Sequence, residues 1–183
     1  MTTSDNKNDN TDESWVAGRI KTSYNSFSYK KLPNGLLHID LNRIKEHNVQ
    51  NKSFYEDILH FFKYVNYESD IRVIMITSSA KGFSSGVDVA FLSSLMTDSE
   101  DRDQARKSLL AELKIKWLQK CLDILEKCRF PIIVGVHRYC IGASIDFISA
   151  CDIVYCTDDT RFSIKEVDLA IVADLGTLAR IPY

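Results

Sequence analysis

The chain has 183 residues, 45% hydrophobic and 26% charged, which suits one globular domain able to bury roughly two-thirds of its unfolded surface. Against 25 Asp and Glu stand 23 Lys and Arg, a net charge of -2 that offers no electrostatic footprint for nucleic acid or an anionic membrane. Five cysteines, Cys121, Cys128, Cys140, Cys151 and Cys156, are odd in number and lack a CxxC pair, so they read as reduced core thiols and argue against a zinc site.

In chain order, residues 1–17 form a polar segment rich in Asn, Asp, Ser and Thr. They read as a disordered tail that fits neither a signal peptide nor an Arg-rich transit peptide, so the cytoplasm is the default compartment. Residues 18–183 form the single domain, with no apolar run long enough to span a membrane. Ser26 to Lys31, the Pro33-Asn34-Gly35 turn and Gly35 to Leu41 predict a hairpin. Phe54, Ile58, Phe61, Phe62 and Val65 recur at helical spacing over 52–65. Ile71 to Thr77 and Ile132 to Val136 are β-branched runs expected to be strands covered on both faces. Between them, Ser93 to Asp103 reads as a mobile acidic surface segment, and 104–127 as a long helix with Leu109, Leu113, Trp117, Leu118, Cys121, Leu122 and Leu125 on its apolar stripe. A short helix over 142–151 and strands over 152–156 and 161–164 complete a β-α-β alternation, the mark of an α/β fold.

Carboxylates lie inside the apolar run from Tyr139 to Gly176, where burial costs several kcal/mol unless the group is paired, hydrogen-bonded or protonated. Asp146 falls in the first turn of its helix, as a helix-end cap also would. Glu166 and Asp168 alternate after a strand, so one is expected inside and the other in solvent, and Asp174 is equally placed for a loop or a cap. Two small-residue loops, Gly82 to Gly86 and Tyr139 to Ser144, can each offer backbone N–H groups to an anion, although either alone reads first as an ordinary strand-to-helix turn. His38, His47, His60 and His137 are scattered, and the sequence has no GxSxG elbow, GxGxxG or phosphate loop.

Taken together, Leu41-Asn-Arg with Asn48, Ala80-Lys-Gly-Phe-Ser-Ser-Gly-Val-Asp88 and Cys140-Ile-Gly-Ala-Ser-Ile-Asp with Ala150-Cys-Asp-Ile153 resemble the enoyl-CoA hydratase/isomerase (crotonase) superfamily. The run from Phe162 to Leu178, with acids at the positions of Asp146, Glu166 and Asp174, looks most like the Δ3,5-Δ2,4-dienoyl-CoA isomerases. The resemblance implies a crotonase (ClpP-like) spiral of β-β-α units that binds an acyl-CoA thioester, with CoA as part of the substrate and no cofactor or metal. It implies oxyanion donors at the Ser85 and Ala143 N–H groups, a substrate-lining segment Ser85, Gly86, Val87, Asp88 and Val89, and a CoA nucleotide near residues 42–48 and 80–83. It makes Asp174 the base at C2, Glu166 the acid at C6 and Asp146 a further member of the acidic pocket.

Family members continue into a helical C-terminal part that builds trimers or hexamers, so this chain is expected to lack that part, as a fragment or a shortened homologue. Mitochondrial or peroxisomal β-oxidation is the context the family implies. The alternatives are an enoyl-CoA hydratase, which uses two glutamates, and a truncated, non-catalytic binding or assembly protein.

Overall fold

The computed structural model describes residues 19–97 and 103–181, so the tail expected over 1–17 lies outside the described residues. The predicted hairpin is present as β1 (Ser28–Lys31) and β2 (Leu36–Leu41), paired antiparallel. β3 (Val73–Ser78), β4 (Ile132–Val136) and β6 (Ile153–Cys156) extend it in parallel, in the order β1-β2-β3-β4-β6. A second sheet pairs β5 (Tyr139–Ile141) with β7 (Arg161–Ser163), also in parallel. β5 is too short for periodicity to reveal, and it occupies what the sequence suggested was a loop.

Each of β2, β3 and β4 buries alternate residues: Leu37, Ile39 and Leu41, then Ile74 and Ile76, then Ile132, Val134 and Val136. The intervening Val73, Met75, Thr77 and Ile133 are only half-buried, so these strands are covered on one face rather than both. On that open face His38 Nε2 lies 2.7 Å from Thr77 Oγ1 across adjacent strands.

The buried face shares one core with α1 (Lys52–Val65) and α3 (Gln104–Glu126). Asn51 caps α1, its side chain accepting from Phe54 N at 3.0 Å, and the helix places Phe61 edge-on to Phe27 at 5.3 Å. Asp57, on the same helix, is buried by design of its partners: its Oδ2 accepts from Asn25 N, Ser26 N and Ser26 Oγ at 2.9–3.1 Å. A carboxylate so satisfied tolerates burial and ties the segment before β1 to the core.

Residues expected to form a mobile segment instead continue α2 (Val89–Thr97), while 98–102 lie outside the described residues. The apolar stripe of α3 holds only over its second half. Leu118, Cys121, Leu122 and Leu125 are buried, whereas Leu109 and Leu113 are 56% and 55% exposed. The first half instead lines a cavity with Leu110, Ala111 and Ile115.

α4 (Ala143–Ser149) follows β5, and a 3₁₀ turn (Lys165–Leu169) and α5 (Thr177–Arg180) follow β7. Over this last third apolar residues come outward: Ile153, Val154, Tyr155, Phe162, Val167 and Val172 are 43–74% exposed. All five cysteines are free thiols. Cys121 and Cys140 are core residues as expected, but Cys156 on β6 is exposed.

Candidate active site

A cavity of about 450 Å³ opens between α2, α3, the start of α4 and the segment 166–175. Its walls are mainly apolar, from Leu92, Ile115, Leu118 and Ile171, and Val87, Ala143, Glu166 and Asp174 line it together with Gln104, Lys107, Ser108 and Lys114. Most drug-sized ligand pockets share this balance of apolar wall and few convergent polar groups.

One side of the cavity is built by a loop laced between two others. Gln50 bridges to Val87, with Gln50 N donating to Gly86 O at 2.8 Å and Asp88 N to Gln50 O at 3.0 Å. Ser84 bridges to Cys140, with Phe83 N donating to Tyr139 O at 3.0 Å and Ile141 N to Ser84 O at 3.2 Å. Buried Asn48 secures the loop from beneath. Its Nδ2 is within 2.8–3.2 Å of Leu41 O, Ser78 Oγ and Phe83 O, and its Oδ1 accepts from Arg43 N at 2.9 Å. The family resemblance placed Asn48 in a ligand-proximal bend and gave no sign of this fastening role; the residue sits at φ 51°, a conformation asparagine tolerates.

This lacing spends some backbone donors and leaves others. The Ser85 N–H, expected to be an oxyanion donor, instead donates to His47 O at 3.1 Å, and Ser85 is exposed. The Gly86 N–H goes to Ser84 Oγ at 3.2 Å. Asp88 caps α2, its Oδ1 accepting from Phe91 N at 2.9 Å, and Val89 is 72% exposed. Within Ser85–Val89, only Val87 lines the cavity among the described residues. The Val87 N–H makes no hydrogen bond with them, and neither does the Ala143 N–H at the start of α4. Gly86 brings the two loops together: a Cβ there would lie 2.4 Å from Ile141 O and 3.5 Å from Ala143 N. Val87 and Ala143 therefore keep N–H groups without a partner among the described residues, whereas the Ser85 N–H is engaged.

The acids divide by environment. Glu166, on the 3₁₀ turn, is half-buried, and its Oε2 is buried with no hydrogen-bond partner among the described residues. Burial, and then the charges of Asp146 and Asp174, push its carboxyl above the usual range. Asp168 is exposed and ion-paired with Lys165, which settles which member of that pair faces inward. Asp174 is exposed to the cavity mouth, and only its backbone is bonded, the carbonyl accepting from Gln119 Nε2 at 2.7 Å.

Asp146 lies behind the cavity, 1% exposed, where its Oδ1 accepts from Thr177 N at 2.7 Å. It caps a helix, but the helix is α5 rather than its own. Burial raises its carboxyl above the usual range against the opposing Thr177 bond. Because the folded chain holds this proton more tightly than the unfolded chain, Asp146 costs stability as pH rises through the unfolded and then the folded titration. Asp146→Asn keeps an acceptor for Thr177 N–H and abolishes that ionisation. In urea melts it is expected to be more stable than wild type near neutrality, an advantage that shrinks as pH falls to about 3.

Among the described residues no His, Cys, Asp and Glu cluster could hold a metal, and no helix is long and apolar enough to cross a membrane.

Comparison with known proteins identifies the family and the fold. The family model described as Enoyl-CoA hydratase/isomerase matches residues 31–182. The mitochondrial Δ(3,5)-Δ(2,4)-dienoyl-CoA isomerase of Mus musculus is 36% identical over 160 residues, 87% of this chain and 49% of that protein. The peroxisomal Δ(3,5)-Δ(2,4)-dienoyl-CoA isomerase of Arabidopsis thaliana is 41% identical over 154 residues, 84% of this chain and 55% of that one. The chain thus spans about half the length of the curated relatives it matches. Among solved structures, a putative enoyl-CoA hydratase from Streptomyces coelicolor A3(2) superposes with a TM-score of 0.74 at 19% identity, covering 88% of this chain and 56% of that one, and so shares the fold. By sequence match and by architecture, the chain belongs to the enoyl-CoA hydratase/isomerase family and has the crotonase fold.

Proposed function

We propose that this chain shifts the double bonds of a 3,5-dienoyl-CoA to give the 2,4-dienoyl-CoA. The observation that carries the reading is one cavity with two available backbone N–H groups, Val87 and Ala143, and two carboxyl groups in unlike environments, Glu166 and Asp174. The thioester oxygen accepts from the two N–H groups. Asp174 takes a proton from C2, and the electron pair left there spreads onto the thioester oxygen and along the diene to C6. Glu166, whose protonated form burial favours, delivers a proton to C6, so the C2–H bond breaks, a C6–H bond forms and nothing is oxidised or reduced. The similarity to the mitochondrial isomerase of Mus musculus and the peroxisomal isomerase of Arabidopsis thaliana supports this branch of the family and a mitochondrial or peroxisomal setting.

Asp146 disfavours the hydratase alternative, because a carboxylate committed to Thr177 N–H and set behind the cavity is poorly placed to hold an attacking water. The exposed apolar residues of β6, β7 and the following segment support an assembled form. The test is to follow the rise of conjugated 2,4-dienoyl-CoA absorbance and, separately, hydration of a trans-2-enoyl-CoA. Isomerisation is expected to exceed hydration by at least roughly tenfold in kcat/KM, and faster hydration overturns the reading.

A further inference from the structure

The turn that presents Asp174 is held from outside itself. Its Asp174 carbonyl accepts from Gln119 Nε2 at 2.7 Å, and its Leu175 carbonyl accepts from Arg180 Nη1 at 3.3 Å. The same guanidinium reaches α3, with Nη2 donating to Asp123 Oδ1 at 2.6 Å and both Nη2 and Nε donating to Glu126 Oε2 at 3.2 Å. Gln119, Asp123 and Glu126 follow one another at four- and three-residue spacing, so one face of α3 supplies every outer hold.

The side chain of Arg180 is 14% exposed although its acidic partners are 41% and 64% exposed, so the fork is tucked beneath the turn rather than waving at the surface. Gly176 makes room for it. At φ +129°, a Cβ on Gly176 would lie 1.7 Å from Arg180 Nη1. On the inner side Thr177 N–H is fixed by Asp146.

We propose that Arg180, seconded by Gln119, is a positioning residue for proton transfer: a clamp that locks the 174–177 turn to α3 and thereby sets where the Asp174 carboxylate meets substrate. This rests on the reading of Asp174 as base. A planar fork spanning two carboxylates and a carbonyl fixes orientation in a way a lysine point charge does not. Misplacement of a reacting group by about 1 Å can cost 10²-fold in rate.

Arg180→Ala is expected to lower kcat roughly 10- to 100-fold with KM within about twofold, and Arg180→Lys to recover part of the loss. Asp123→Asn combined with Glu126→Gln, which leaves Arg180 in place, is expected to reproduce the kcat loss and keeps the test valid if Arg180→Ala does not fold. Amide hydrogen exchange supplies a readout independent of turnover: in each variant the Thr177 amide loses protection while those of β2, β3 and β4 do not. Unchanged kcat together with a protected Thr177 amide overturns the clamp. If wild type does not isomerise, or Asp174→Asn is unimpaired, the assignment of Asp174 has failed instead. The Thr177 amide then decides on the clamp alone, and retained protection in the variants overturns it.

Discussion

Asp174→Asn is expected to lower isomerisation by about 10²- to 10⁴-fold, the range that positioned proton transfer contributes. The amide keeps the size and polarity of the side chain and removes only its basicity. Stability should stay within about 0.5 kcal/mol of wild type by urea melt, because the Asp174 side chain is exposed and the turn is bonded through its backbone. A variant that is folded and inactive separates chemistry from architecture, and one that remains active removes Asp174 from its role. The pH dependence follows from the same division. Glu166 must be protonated to deliver its proton, so the rate falls as pH rises through the Glu166 titration. Burial raises that titration, so the alkaline limb is expected above the ordinary carboxyl range.

Gly86→Ala is expected to damage both fold and function. Gly86 has φ +88°, where a side chain is strained, and its added methyl would sit 2.4 Å from Ile141 O, a backbone atom of β5 that cannot swing aside as a flexible side chain would. Relief requires the Val87 loop to move away from β5 and α4, which separates the two N–H groups. A loss of about 2–4 kcal/mol in stability should accompany a fall of about 10²- to 10³-fold in rate, the effect of losing one preorganised donor. Urea melts and the diene absorbance assay check the two parts separately, and wild-type values in both would show that this contact does not set the donor pair.

Regular elements were legible in the sequence because their periodicity is strong. The hairpin, α1 and β4 fall where alternation and 3.6-residue spacing placed them. The failures arise where structure depends on a distant partner. Leu109 and Leu113 keep the rhythm of the α3 stripe, yet no core lies opposite them. The choice of Val87 over Ser85 turns on the carbonyl of His47 receiving the Ser85 N–H, a fact of tertiary packing. Asp146 was correctly marked as an acid needing an explanation, but its partner, the Thr177 N–H, lies 31 residues on and in a different helix. Glu166 and Asp168 could not be told apart by strand alternation because they stand on a 3₁₀ turn.

The lacing of Gln50 with Val87 and of Ser84 with Cys140 has a consequence for the order in which the molecule is made. Each bridge joins segments far apart in the chain by a single rung, so loop closure opposes it and little neighbouring pairing repays it. The α1 helix and the β1–β2 hairpin need no such help. The laced loop is therefore expected to close late in folding, after most of the core, and to be among the first parts to open locally.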